Sequence, residues 1–244
     1  SSGLASRVTS ETFRVSNTVF IFSIISGTNK QNPVKDEQFW SLLPFMKNLE
    51  EYARKADGQN QIYLERRENQ YRSEAIEKAR IVQMQPFFKA ITAALLAHPH
   101  RAARNYRTEI KEVAGQLFEE SQDVRPAFAA AFLHYRMEFL WRNQRIDSDS
   151  KIYRYFIMDA AAKQVLGDKE YKPLSSKEKI KFAESLVSLA SDERKMVKVV
   201  DRVTSILDQR LAELEIDDDS REKLRDTIRS ESFFKSVRQT YAAL

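Results

Sequence analysis

The feature of this chain that most constrains its fold is the spacing of its apolar residues, which recur every three or four positions over most of the sequence after Ser73. This spacing places apolar side chains along one face of an α-helix. Clear runs of this kind are Phe128, Phe132, Tyr135, Phe139 and Leu140, and later Val199, Val203, Ile206, Leu207 and Leu211. Only 5 glycines and 6 prolines occur in 244 residues, so few tight turns are available for a many-stranded sheet. The sequence therefore predicts a mainly α fold.

Two short segments near the N-terminus depart from this helical pattern. Residues 19–25 are β-branched and aromatic, which is typical of a buried strand or, as an alternative, of a short buried helix. Residues 62–66 follow a turn at Gly58 and predict a second short strand. Between the two segments, Asp36 can cap a helix, and Pro44 kinks or restarts it. Because the turn at Gly58 reverses the chain, the second strand could return beside the first and pair with it.

The later part of the chain contains one segment that predicts a boundary. Residues 167–174 combine glycine, proline and charges without periodicity and indicate a linker between residues 1–166 and residues 175–244. After it, Ser175 and Glu178 have the spacing of a capping box. Three amphipathic helices joined by short loops then predict a small C-terminal helical bundle. The apolar faces of these helices could be buried within the domain or against another subunit, so a homo-oligomer or another protein partner stays an open alternative.

The composition excludes several classes of site. The chain has no cysteine, which rules out disulfides, thiolate zinc sites and a cysteine nucleophile, and which fits a reducing cytoplasm. The histidines His98, His100 and His134 lack the helical spacing of a metal-binding pair, so we expect neither a metal nor a cofactor. No apolar run approaches the roughly 20 residues that span a bilayer, so we expect no membrane partner. The predicted location is the cytoplasm.

Two tripeptides match the Glu-x-Lys pattern of restriction-type nucleases, in which carboxylates hold Mg²⁺ beside a lysine. They begin at Glu109 and Glu170. The first lies within a helical pattern and the second within the predicted linker, although the pattern belongs on a strand. We interpret both as chance matches in a highly charged chain. The catalytic residues are therefore unknown, and the sequence leaves open whether the protein is an enzyme.

Two clusters of polar residues in the first third of the chain are not explained by local folding. They contain Thr28, Asn29, Gln31 and Asn32, and then Tyr63, Glu65, Arg66, Arg67, Gln70 and Tyr71. Arginine forks bind phosphates, tyrosine rings stack on bases, and amides both donate and accept hydrogen bonds as base edges require. Contact with DNA or RNA is therefore predicted for Thr28, Asn29, Gln31, Asn32, Tyr63, Arg66, Arg67 and Tyr71, together with the neighbouring Arg72. The alternative is structural, with the amides bonded to loop backbone and Glu65 paired with Arg66 or Arg67.

The order of these clusters resembles the C-terminal region of the abortive phage infection protein family (AIPR). In that family a Thr-Asn-x-Gln-Asn element leads into a helix and then into a Tyr-x-Glu-Arg-Arg element. The matching residues are Thr28, Asn29, Gln31, Asn32, Val34, Tyr63, Glu65, Arg66, Arg67, Gln70 and Tyr71. The resemblance is most specific over residues 19–106. It implies a C-terminal, recognition or regulatory part of an antiphage protein, with any nuclease-like activity residing in an N-terminal half whose motifs this sequence lacks.

Two other functions stay open under this resemblance. In the first, the chain completes a nuclease active site that upstream residues build, with Glu65, Arg66 and Arg67 close to the catalytic centre. In the second, residues 175–244 form a protein-interaction module that binds another subunit or a phage-derived trigger protein. The sequence alone does not choose among these alternatives.

Overall fold

The computed structural model of the protein describes residues 36–216 and 221–242. The chain divides into two compact units, Ser1–Trp40 and Ser41–Leu244. In the first unit the described part is helix α1, Asp36–Trp40. The strand predicted at residues 19–25, its pairing, and the candidate residues Thr28, Asn29, Gln31 and Asn32 lie outside the described residues.

Helices dominate the second unit, as the apolar periodicity predicted. They are α2 Pro44–Lys55, α3 Met84–Ala94, α4 Pro99–Ala102, α5 Tyr106–Leu117, α6 Arg125–Arg142, α7 Arg154–Leu166, α8 Ser176–Ser191, α9 Glu193–Glu213, α10 Arg221–Ile228 and α11 Glu231–Ala242. Single turns of 3₁₀-helix occur at Gly58–Asn60 and Lys78–Arg80, and a longer one at Ser148–Tyr153. The prediction of a mainly α protein with a C-terminal helical bundle is confirmed.

The described residues contain one small sheet, formed by strands β1, Tyr63–Glu65, and β2, Ile81–Gln83. The strands are parallel, and the buried side chains of Leu64 and Val82 stand opposite each other in register. Strand β1 lies within the strand predicted at residues 62–66. Strand β2 was not predicted, because a strand of three residues is too short to show an alternating pattern.

Local capping explains where several helices begin. Pro44 opens α2 at a position where its missing N–H costs nothing. The capping box before α8 is formed as predicted, with the Ser175 hydroxyl accepting from the Glu178 N–H and the Glu178 carboxylate accepting from the Ser175 N–H. The third predicted C-terminal helix is two helices, α10 and α11. The Ser230 hydroxyl accepts from the Phe233 N–H and so caps the first turn of α11.

The core of the second unit is built around α6. Helix α8 packs along α6, and α3 packs against both α6 and α7, while α9 contacts α7 and α11. The helices on either side of residues 167–174 therefore share packed surfaces, and the predicted domain boundary in that segment stays a prediction. No helix in the described part of the chain is long and apolar enough to cross a membrane.

Candidate nucleic-acid interface

Helix α2 carries one acid on its apolar face. The buried residues of the helix are Phe45, Met46, Leu49, Glu50 and Ala53, and Glu50 is only 8% exposed. An ionised carboxylate is stable in such surroundings only when hydrogen-bond donors or a counterion accompany it. The position of Glu50 thus requires partners from elsewhere in the fold.

The segment after β1 supplies those partners. The Nε of Arg66 donates to Oε2 of Glu50 at 2.5 Å. The side-chain nitrogen of Gln70 and the hydroxyl of Tyr71 donate to Oε1 at 2.5 and 2.9 Å. Arg66 also donates through Nη1 to the carbonyl oxygen of Ser41 at 2.8 Å. These bonds hold the segment that follows β1 against the buried face of α2.

The charges of this network follow from its pKa shifts. Burial acts to raise the pKa of Glu50, but the hydrogen bonds from Arg66, Tyr71 and Gln70 outweigh it, so the pKa lies below its ordinary value of 4.5. Burial, followed by the bond to Glu50, raises the pKa of Tyr71. At neutral pH the network therefore contains one carboxylate, one guanidinium and two uncharged donors.

Gln70 also fixes the turn in which the arginines lie. Its side-chain oxygen accepts from the backbone N–H groups of Arg66 and Arg67 at 3.1 and 3.2 Å. Asn69, immediately before it, has φ of +60°, a conformation that asparagine tolerates better than most residues. With its nitrogen on Glu50 and its oxygen on the turn, Gln70 couples the backbone of the two arginines to α2.

The two adjacent arginines consequently point in different directions. The Arg66 side chain is 9% exposed and is paired with Glu50, which corrects the pairing expected with Glu65. Arg67 and Arg72 are exposed, and neither has a side-chain ion pair among the described residues. Tyr71 is buried. Tyr63 is half-buried, and its ring packs edge-on against that of Tyr71 at 5.4 Å.

Comparison with protein families gives a match between residues 5–213 and the family described as AIPR protein. The chain belongs to the AIPR family. The matched range extends well beyond residues 19–106, over which the motifs were most specific. Comparison with curated proteins and with solved structures gives no match. Membership of the AIPR family supports a role in abortive infection, that is, in defence against phage.

Sequence reasoning missed two residues that organise this part of the AIPR protein. One is Glu50, whose signal is an acid at helical spacing among apolar residues of α2. The other is Arg80, whose Nη1 donates to the carbonyl oxygens of Gly58 and Gln61 at 3.1 and 2.7 Å. Its guanidinium also lies 5.2 Å from the ring centre of Tyr135. Arg80 thus ties the turn before β1 to α6, a contact that leaves no local signal.

The two nuclease-like tripeptides lie in different surroundings. Glu109 is buried in α5, where it is paired with Arg101 and lies 3.7 Å from Nε2 of His98. Glu170 is exposed in the segment between α7 and α8, outside any strand. Within residues 36–216 and 221–242, no group of three or more histidine or acidic side chains is arranged to hold a metal ion.

Proposed function

We propose that this AIPR protein acts in abortive infection in the cytoplasm as a recognition or regulatory part that binds the backbone of DNA or RNA through Arg67 and Arg72. One observation carries this proposal. Of two adjacent arginines, Arg66 is bonded inward to Glu50, whereas Arg67 is directed to solvent from a turn whose backbone is fixed.

The fixed backbone favours binding at this place. A guanidinium group binds a phosphate best when its fork is presented in one orientation, because less freedom is lost on binding. The bonds from Gln70 hold the Arg67 amide, and the Glu50 network holds the residues on both sides of it. Contacts of this kind position a nucleic acid without reading its sequence. We therefore expect binding to many sequences with similar affinity.

The remaining candidate residues divide into roles. Arg66 and Tyr71 hold the turn in place. The half-buried ring of Tyr63 packs on Tyr71 and has an exposed part beside the turn that can contact a nucleic acid. Thr28, Asn29, Gln31 and Asn32 stay predicted base-edge contacts, for which single alanine substitutions should change sequence preference rather than overall affinity. The nuclease and protein-interaction alternatives also stay predictions.

Fluorescence anisotropy with labelled single-stranded DNA, duplex DNA and single-stranded RNA tests the proposal. The double variant Arg67→Ala, Arg72→Ala should bind at least one of these more weakly than the wild type. The slope of log affinity against log salt should fall in magnitude by about 1.4 to 1.8, because each of the two lost phosphate contacts contributes about 0.7 to 0.9. Circular dichroism should show an unchanged helical signal.

The matched control is Lys177→Ala, Lys181→Ala, which removes the same net charge from exposed positions of α8. If both double variants lose affinity equally, the effect is one of net charge and the proposed surface is refuted. Cleavage measured on the same samples separates the nuclease alternative. Under that alternative the Arg67→Ala, Arg72→Ala variant should lose cleavage while binding and fold remain intact.

A further inference from the structure

A cleft of about 470 Å³ is lined by residues of α3, α4, α5, α7 and α11 and by residues 169–172, which follow α7. Its volume is in the range of small-molecule sites, which is about 300–1,000 Å³. Part of its wall is apolar, formed by Leu95, Leu96, Val113, Ala162, Leu166 and Phe234. The nucleic-acid surface proposed above contributes no residue to this lining.

His100 is the least explained residue of the cleft. Its side chain is almost completely enclosed, since the residue is 4% exposed, and its ring stacks on Phe234 with ring centres 4.7 Å apart. Neither ring nitrogen has a hydrogen-bond partner among the described residues. Buried polar atoms without partners are uncommon in folded proteins and destabilise them. Because His100 lines the cleft, a bound ligand would supply the missing partners after a small movement of the ring.

The protonation state of His100 defines what it can offer. Burial, together with the nearby charges of His98 and Arg101, lowers the pKa of His100 to about 4. At neutral pH the ring therefore has one N–H donor and one acceptor nitrogen. Such a pair matches the mixed donor and acceptor groups of a sugar or a heterocyclic base.

Some cations that line the cleft have an ion-pair partner, and others do not. Arg101 is paired with Glu109, and Lys235 with Glu231 at 2.8 Å. By contrast, the described structure gives no ion pair to three cations of the lining, namely Lys163, Lys172 and Arg238.

The surroundings of the unpaired cations leave them available to an anion. Lys163 donates only to the carbonyl oxygen of Lys169, at 3.2 Å, and the guanidinium of Arg238 lies 5.4 Å from the centre of the Phe234 ring. The buried Asp159 is bonded to the hydroxyl of Tyr241 at 2.5 Å, and it also attracts Arg238 and Lys163 electrostatically without forming an ion pair with either. The two other acids of the lining, Glu112 and Glu170, are exposed and screened by solvent.

We propose that this cleft binds a small phosphorylated organic molecule of mononucleotide size. Its phosphate is held by Lys163, Lys172 and Arg238, and its uncharged part lies against the apolar wall with a polar edge on His100. Each side of this assignment has its own support: three unpaired cations for the phosphate, and one enclosed imidazole for the polar edge.

Isothermal titration calorimetry on the whole chain tests the proposal with AMP, GMP, CMP and UMP as probes. At least one should bind, and its nucleoside and inorganic phosphate should each bind about tenfold or more weakly, because each lacks one half of the contacts. His100→Phe keeps the ring and its stacking on Phe234 but removes both nitrogens. This variant should bind the mononucleotide about tenfold more weakly than the wild type.

A second variant keeps the test decisive if His100→Phe fails to fold. Arg238→Gln, at the partly exposed rim, should bind the mononucleotide about tenfold more weakly than the wild type. It should bind the nucleoside with unchanged affinity. Lys198→Gln, an exposed position on α9 outside the lining, is the matched control and should bind like the wild type. The proposal is overturned if none of the four mononucleotides binds, or if Arg238→Gln binds the mononucleotide as tightly as Lys198→Gln does.

Discussion

The substitution Glu50→Gln tests most directly whether buried contacts hold the Tyr-x-Glu-Arg-Arg element, residues 63–67, and the turn that follows it. Gln keeps the shape of the side chain and one acceptor oxygen for Gln70 or Tyr71, but it removes the charge that faces Arg66. The Arg66 guanidinium would then be buried without a counterion, since the side chains of Arg66 and Glu50 are only 9% and 11% exposed. The perturbation is therefore electrostatic rather than a change in packing volume.

The magnitude follows from this burial. Removing one partner of a buried ion pair costs about 3–5 kcal/mol, because the other charge is left uncompensated. Since Arg66 keeps its bond to the Ser41 carbonyl, we expect the lower end, about 3 kcal/mol of unfolding free energy. In a chain of this size such a loss lowers the melting temperature by roughly 6–12 °C.

Urea denaturation followed by circular dichroism measures this loss, and Glu51→Gln is the matched control. Glu51 is the neighbouring residue of α2, and its pair with Lys55 is 65% and 74% exposed, so its removal should leave the midpoint nearly unchanged. A cycle with Arg66→Gln should show that the double variant loses less than the sum of the single losses. Equal midpoints for Glu50→Gln and Glu51→Gln would refute the reasoning.

The pH dependence provides an independent check on the same network. The pKa of Glu50 in the folded state is held below the ordinary 4.5, so the unfolded state binds the proton more readily. The contribution of Glu50 is therefore complete above about pH 4.5 and is lost as the pH falls through the lower, folded-state pKa. The Glu50→Gln variant should lack this loss on acidification.

Three further substitutions test other parts of the fold. Burial raises the pKa of Asp159 from 3.8 to about 6. The free energy of unfolding should therefore fall by roughly 3 kcal/mol as the pH rises from about 4 to about 6, and Asp159→Asn should abolish this fall in urea titrations at several pH values. Ser175→Ala removes the cap of α8 and should cost about 1 kcal/mol, whereas Ser185→Ala within the helix should cost little; equal losses would contradict the capping role. Arg80→Lys should lower the unfolding free energy by about 1–2 kcal/mol, because lysine lacks the planar fork, and an unchanged midpoint would contradict its role.

The fold was largely predictable because its signals are local. Apolar spacing identified the long helices, and the residue pattern at Ser175 identified the start of α8. Two features were missed for a physical reason. Strand β2 has three residues and forms only because β1 lies beside it. The break between α10 and α11, where the Ser230 hydroxyl caps α11, lies inside a continuous amphipathic pattern and so does not change the apolar periodicity.

The candidate site was less predictable because its decisive contact is tertiary. Arg66 and Arg67 are adjacent and chemically identical, and the sequence gives no reason to treat them differently. The difference comes from Glu50, which lies 16 residues before Arg66 and reaches it only after β1 has returned along α2. A buried acid on an apolar helix face was visible in the sequence, but its partner was not.

Because Arg66 is paired inward and Arg67 is exposed, the Tyr-x-Glu-Arg-Arg element has to be tested with variants that separate the two arginines. A variant that removes Arg66 and Arg67 together would disturb the Glu50 network and the exposed cation at once, so lost binding could not be assigned to either. Arg67→Ala, Arg72→Ala leaves the network intact and should reduce binding at unchanged stability. Glu50→Gln leaves both exposed cations intact and should reduce stability first. Glu50→Gln could also abolish binding under conditions where the protein remains fully folded. That result would show that nucleic-acid binding requires the orientation of the turn that the Glu50 network sets.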